Sequence, residues 1–107
     1  MRDDDILAVV KIKVYRLKDG YYMHIMYEDR KQRRQLIKVS TNIFKDYTSD
    51  IERLKEIIGL MTQYCEVLPI EKLPKAFFDA YKELTQIYKE RTSAYFLEKH
   101  QITNPFL

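Results

Sequence analysis

Apolar and polar residues alternate with a period of two through the first third of the chain. Through the rest they recur at steps of three and four. Val10, Ile12 and Val14 alternate with Lys11, Lys13 and Tyr15. Tyr21 to Glu28 continues as an aromatic and apolar alternation, and Arg34 to Ser40 is a short β-branched run. These read as an antiparallel sheet of three strands within residues 6–40. Asp19-Gly20 separates the first two runs and suits the positive φ angles of a type I′ hairpin turn. A two-residue turn there pairs Val14 with Ile25, Ile12 with Tyr27, Tyr15 with His24, Lys13 with Met26 and Lys11 with Glu28. A loop over 29–33 pairs Glu28 with Arg34, Met26 with Leu36, Ile25 with Ile37, His24 with Lys38 and Met23 with Val39.

Both registers sort the side chains the same way. Ile12, Val14, Met23, Ile25, Ile37 and Val39 fall on one face. Lys11, Lys13, Tyr15, Leu17, Tyr22, His24, Met26, Arg34, Leu36 and Lys38 fall on the other. A slip of one residue would mix the two sets.

The helical period takes over after Ser49, which with Glu52 forms a capping box. Ile51, Leu54, Ile58, Met61, Cys65 and Leu68 make a stripe, widened by Ile57, Leu60 and Tyr64, so a helix over 50–68 should cover the apolar sheet face. Cys65 lies on that stripe and reads as a structural thiol. Gly59 costs about 1 kcal/mol against Ala, a cost that a close backbone approach would explain. Pro69 ends the helix and Pro74 opens the next, which runs to about His100. That second helix spans about 40 Å, against about 27 Å for an eight-residue strand. Its stripe continues past the sheet with Arg91 as an interruption, so residues 74–100 are expected to dimerise through Leu84, Tyr88, Arg91 and Tyr95. The whole reads as one α+β domain over 1–107: a three-stranded antiparallel sheet packed on a helix, followed by a long C-terminal helix.

Composition narrows the function more by exclusion than by assertion. With 46% apolar and 33% charged residues the 107-residue chain can bury a core, and 2 Gly and 3 Pro exclude glycine-cradle and low-complexity readings. One cysteine excludes a disulfide framework. The acidic start, Met1 to Asp5, lacks the basic segment of a secretory signal, and the apolar run Ile6 to Val10 falls short of the about 20 residues a spanning helix needs. The expectation is no membrane partner and a cytoplasmic location, host cytoplasm if the gene is viral. His24 and His100 sit on different elements, and no glycine-rich phosphate loop is present. Glu28, Asp29 and Lys31 crowd one turn without carboxylates converging from separate elements. No catalytic residue, metal or cofactor is therefore expected.

Net charge is +3 overall but uneven: residues 11–38 carry nine basic and three acidic side chains. The second sheet face interleaves Lys11, Lys13, Arg34 and Lys38 with Tyr15, Tyr22 and His24, and the adjoining loop adds Arg30, Lys31 and Arg33. Cations neutralise phosphates and flat side chains stack on exposed bases, so these residues together point to nucleic acid. The competing interpretation is a solvated or protein-covered sheet face, as in a viral or phage inhibitor of a host protein.

The segments Val14-Tyr15-Arg16, Gly20 to Ile25, Tyr27-Glu28-Asp29 and Ile37 to Ser40, leading into Ile51, Leu54, Ile57 and Ile58, resemble the strand-rich module plus helix of transcriptional positive-cofactor and whirly-like single-strand DNA-binding proteins. The order of elements is also similar to thermophilic archaeal single-strand DNA-binding proteins with a dimerising C-terminal helix. The resemblance implies single-stranded DNA as ligand and a homodimer. Arg30-Lys31-Gln32-Arg33-Arg34 replaces that family's Pro-Gly-Lys-Lys-Gly stretch, and Met26 stands in place of an arginine. A sheet of three strands with a helix resembles as well the arm-binding domain of tyrosine integrases, which implies duplex DNA on the same face.

Overall fold

The computed structural model describes the backbone of residues 6–100 and the side chains of residues 8–93. Strands β1 (Ile6–Arg16), β2 (Tyr21–Asp29) and β3 (Arg34–Ser40) form an antiparallel sheet in the order β1-β2-β3. A short 3-10 helix, Thr41–Lys45, leads to helix α1 (Ile51–Val67), and a second 3-10 turn, Ile70–Lys72, leads to helix α2 (Lys75–His100). The architecture is the expected α+β one, with the long helix last.

The β2–β3 register is the expected one at every pair, from Glu28–Arg34 to Met23–Val39. The hairpin closes at Asp29 and Arg33, whose N–H to O distance is 2.9 Å, and Gln32 takes the left-handed conformation at φ 63. This is the three-residue loop built on a type I turn and a bulge.

The β1–β2 register differs from the expected one by two residues. Ile12 faces Ile25, Val14 faces Met23, Lys13 faces His24 and Tyr15 faces Tyr22. Lys11 faces Met26 and not Glu28, and Tyr27 faces Val9 and not Ile12. The turn lies at Lys18-Asp19, closed by Leu17 N–H on Gly20 O at 2.8 Å, and no glycine has positive φ. Gly20 is needed for proximity instead of handedness. A Cβ there would stand 2.8 Å from Thr41 Oγ1 and closer still to Asn42 Oδ1. Thr41, fully buried, accepts the Tyr21 N–H at 3.0 Å, and Lys45 Nζ donates to the Asp19 carbonyl. The 3-10 helix thus grips the first turn and moves it by one residue.

A shift of two preserves the faces. Ile12, Met23, Ile25, Ile37 and Val39 are buried and Val14 packs against them, while the basic and aromatic set points away. One exception comes from the irregularity between Val9 and Lys11, which turns Val9 inward and leaves Val10 exposed, against the simple alternation.

Both helices cover the inner face. On α1 the most buried positions are Leu54, Ile57, Leu60, Met61 and Tyr64, with Ile58 and Cys65 half-buried at the margin. The stripe is centred on residues that the pattern placed at its edge, because α1 contacts α2 as well as the sheet. Asp50, not Ser49, caps α1, accepting the Glu52 N–H at 2.9 Å. Ser49 Oγ instead accepts from Arg91 Nη1 at 2.8 Å, and Arg91 Nη2 donates to the Ser49 carbonyl at 2.5 Å. The arginine that interrupts the α2 stripe is therefore a strut tying α2 to the start of α1. Gly59 lies on the exposed side of α1 with nothing within 4 Å of a Cβ built there, so no close approach explains it.

The two glycines are expected to respond in opposite directions. Gly59→Ala should stabilise by about 1 kcal/mol and raise the melting temperature by about 4–8 °C. Gly20→Ala should destabilise by about 1–3 kcal/mol, because Thr41 cannot retreat without losing the Tyr21 amide. Thermal melts by circular dichroism read both. The face assignment is checked the same way: Ile25→Asp should cost about 4 kcal/mol or more, and Lys13→Asp should leave the melt nearly unchanged.

Candidate nucleic-acid interface

The outward face of the sheet brings seven of the ten sequence-derived binding residues onto one surface. The strand registers set them in rows: Lys11, Met26 and Leu36; Lys13, His24 and Lys38; Tyr15, Tyr22 and Ser40. Beyond the first row Glu28 stands beside Arg34. The outer strands carry the cations, Lys11 and Lys13 on β1 and Arg34 and Lys38 on β3. The central strand presents Tyr22, His24 and Met26 between them. Neighbouring strands lie about 4.8 Å apart, so the two cationic rows are about 10 Å from each other.

Three rings gather at one end of this surface. His24 meets Tyr15 edge-on at 5.3 Å between centroids and Tyr22 at 5.1 Å, and the two tyrosines are 6.5 Å apart. Edge-to-face packing holds each ring without covering both of its faces. Tyr15 remains 45% exposed, and Leu36, at the other end, 48%. Met26 Sδ accepts from Arg34 Nη1 at 3.8 Å, which draws that guanidinium over the central strand.

Arg30, Lys31 and Arg33 occupy the loop at the Arg34 end. Its shape is set by Asp29, which the sequence reading did not assign a role. Asp29 Oδ1 accepts the Lys31 and Arg33 amides, both at 2.9 Å. Its Oδ2 accepts Arg33 Nε at 3.1 Å and Gln35 Nε2 at 3.3 Å. Hydrogen bonds to the ionised form, the Arg33 amide foremost, hold the Asp29 carboxyl below the ordinary carboxylate range, against the opposing effect of burial. An aspartate ending a strand and followed by a basic turn was the available signal. The Arg33 guanidinium is accordingly part of the loop's scaffold, with its side chain 63% exposed.

Three of the four residues expected at a helix-mediated dimer contact make contacts within the chain. Leu84 is fully buried in the chain's own core, Tyr88 packs against it, and Arg91 is bound to Ser49. The side chain of Tyr95 lies outside the described residues. Packing within the chain thus continues along α2 as far as Arg91, and the helical backbone runs on from there to His100. Among the described residues, no three His, Cys, Asp or Glu side chains are grouped to hold a metal ion, and no helix is long and apolar enough to cross a membrane.

Compared with known proteins, the chain matches no protein-family model, no curated protein and no solved structure.

The Asp29 pin gives an expected pH dependence. Its native pKa lies below the unfolded value of about 3.9, so its contribution is fully present above that value and is lost as pH falls through the lower native one. The difference in melting temperature between the wild type and Asp29→Asn should be largest near neutrality. It should narrow steadily as the pH is lowered below about 4.

Proposed function

We infer that this chain binds nucleic acid on the open sheet face, single strands in preference to duplex. The observation that carries this reading is the cluster of Tyr15, Tyr22 and His24 set between Lys13 and Lys38, with Lys11 and Arg34 extending the two cationic rows. A strand laid along β2 meets ring faces in the middle and ammonium groups on either side. Its bases stack on the rings while its phosphates are neutralised by the outer strands. The loop cations, Lys31 above all, extend the positive field past the end of the sheet.

Duplex binding is the second reading, and the paired cationic rows favour it. Two rows about 10 Å apart, with Tyr22, His24 and Met26 between them, are spaced to meet both backbones of a groove about 12 Å wide. The rings separate the two readings, because base faces are hidden in a duplex.

Fluorescence titration with matched single-stranded and duplex oligonucleotides at two salt concentrations tests both. Tyr15→Ala and Tyr22→Ala should each cost about 1–3 kcal/mol with single strands and much less with duplex. Lys13→Ala and Lys38→Ala should weaken both ligands and lower the salt slope by about one unit each. Equal losses on the two ligands would favour the groove reading. Absence of binding at low salt would overturn both and leave a protein partner for this face.

A further inference from the structure

The sheet has two outer edges, and they are built differently. The β1 ladder is interrupted by register shifts between Ile6 and Ala8 and between Val9 and Lys11. β3 runs seven residues with no shift, no proline and no glycine, and among the described elements its one extensive neighbour is β2. Bulges, prolines and charged side chains are the usual protection of an exposed edge; β3 has no bulge and no proline, and its charges are Arg34 and Lys38. The bond from Asp29 N–H to Arg33 O fixes the alternation along the β2–β3 ladder. Gln35, Ile37 and Val39 bond back to β2, so Arg34, Leu36, Lys38 and Ser40 turn their N–H and C=O groups outward.

We propose that β3 pairs antiparallel with β3 of a second copy of this chain, about a two-fold axis through Ile37, joining the two sheets into one of six strands. This register engages the whole of β3. It sets Arg34 against Ser40 and Leu36 against Lys38, with no like charges directly opposed. Moving the axis one residue back opposes Arg34 with Lys38, and moving it one residue forward opposes Lys38 with itself; both arrangements are unfavourable. On the inner side Ile37 meets its own copy, a β-branched pair that links the two cores. Leu36, now 48% exposed, is covered by the alkyl stem of the opposing Lys38.

The axis is normal to the sheet, so both open faces lie on the same side and the helices of both copies on the other. The second copy therefore contributes its own Arg34 and Lys38 to the middle of one continuous surface. The two Lys38 side chains are diagonal neighbours there, about 7–8 Å apart. Four cations at the seam oppose association until salt or a polyanion screens them. The pairing rests on the edge geometry alone. Its coupling to ligand rests on the nucleic-acid reading.

Sedimentation velocity on the full chain, at low and high salt and with an oligothymidylate long enough for two copies, tests the pairing. Dimerisation should strengthen at high salt and again with the oligonucleotide. Leu36→Glu places a carboxylate opposite Lys38 on both sides of the axis and should tighten the dimer about three- to tenfold in the absence of oligonucleotide. Leu36→Lys opposes like charges and should loosen it by a similar factor. Leu36 is exposed, so melts should show both variants folded. A chain that stays monomeric to high micromolar concentration in every condition overturns the proposal. So does a dimer that responds equally to both variants, since a helix-mediated contact would ignore residue 36. Dimerisation that follows the charge of residue 36 without any oligonucleotide binding upholds the pairing and overturns the nucleic-acid reading. Oligonucleotide binding by a chain that stays monomeric throughout does the reverse.

Discussion

The arrangement of the open face is held by the one beneath it. Ile12, Met23, Ile25, Ile37 and Val39 are buried against two helices. Any odd shift of one strand against another would carry those side chains into water and bring lysines into the core. Burying even one unpaired charge costs several kcal/mol, a large fraction of the stability of a chain this size. Where no bulge absorbs the difference only even shifts are accessible, so Tyr15, Tyr22, His24 and the lysines stay outward whichever turn closes the hairpin. The make-up of the open surface is in this sense a by-product of the core.

That constraint explains how much was legible in the sequence. The second hairpin could be read residue by residue, because the apolar alternation stops at Asp29 and resumes at Arg34 with a loop of fitting length between. The first could be read only to within two residues. Asp19-Gly20 has the composition of a I′ turn, yet Gly20 serves the approach of Thr41 and Asn42 from the far end of β3. The same kind of long-range claim displaced the cap of α1. Ser49 satisfies the local pattern, but Arg91 binds its hydroxyl and Asp50 takes over. Local periodicity carries the elements and their faces. It carries neither the partner that a polar side chain finds 42 positions away nor the role of Asp29, whose four hydrogen bonds shape the basic loop.

Arg91 also changes how the long helix is understood. A stripe interrupted by an arginine and longer than the sheet suggests a surface awaiting a second copy. In the structure the interruption is the point at which α2 is fastened to the loop ahead of α1, and Leu84 belongs to the core shared by both helices. Among the described elements, β3 turns a row of backbone amides and carbonyls outward beside the basic surface.

Cys65, half-buried against the core on the margin of α1, has a chemical consequence of its own. Burial foremost, with the charge of Glu66, pushes its thiol up from the ordinary value, so little of the reactive thiolate exists at neutral pH while the helices are closed. Because it is the single cysteine in the chain, alkylation cannot be shared with another site. A thiol reagent therefore reports on this one margin of the helical layer, without any added probe.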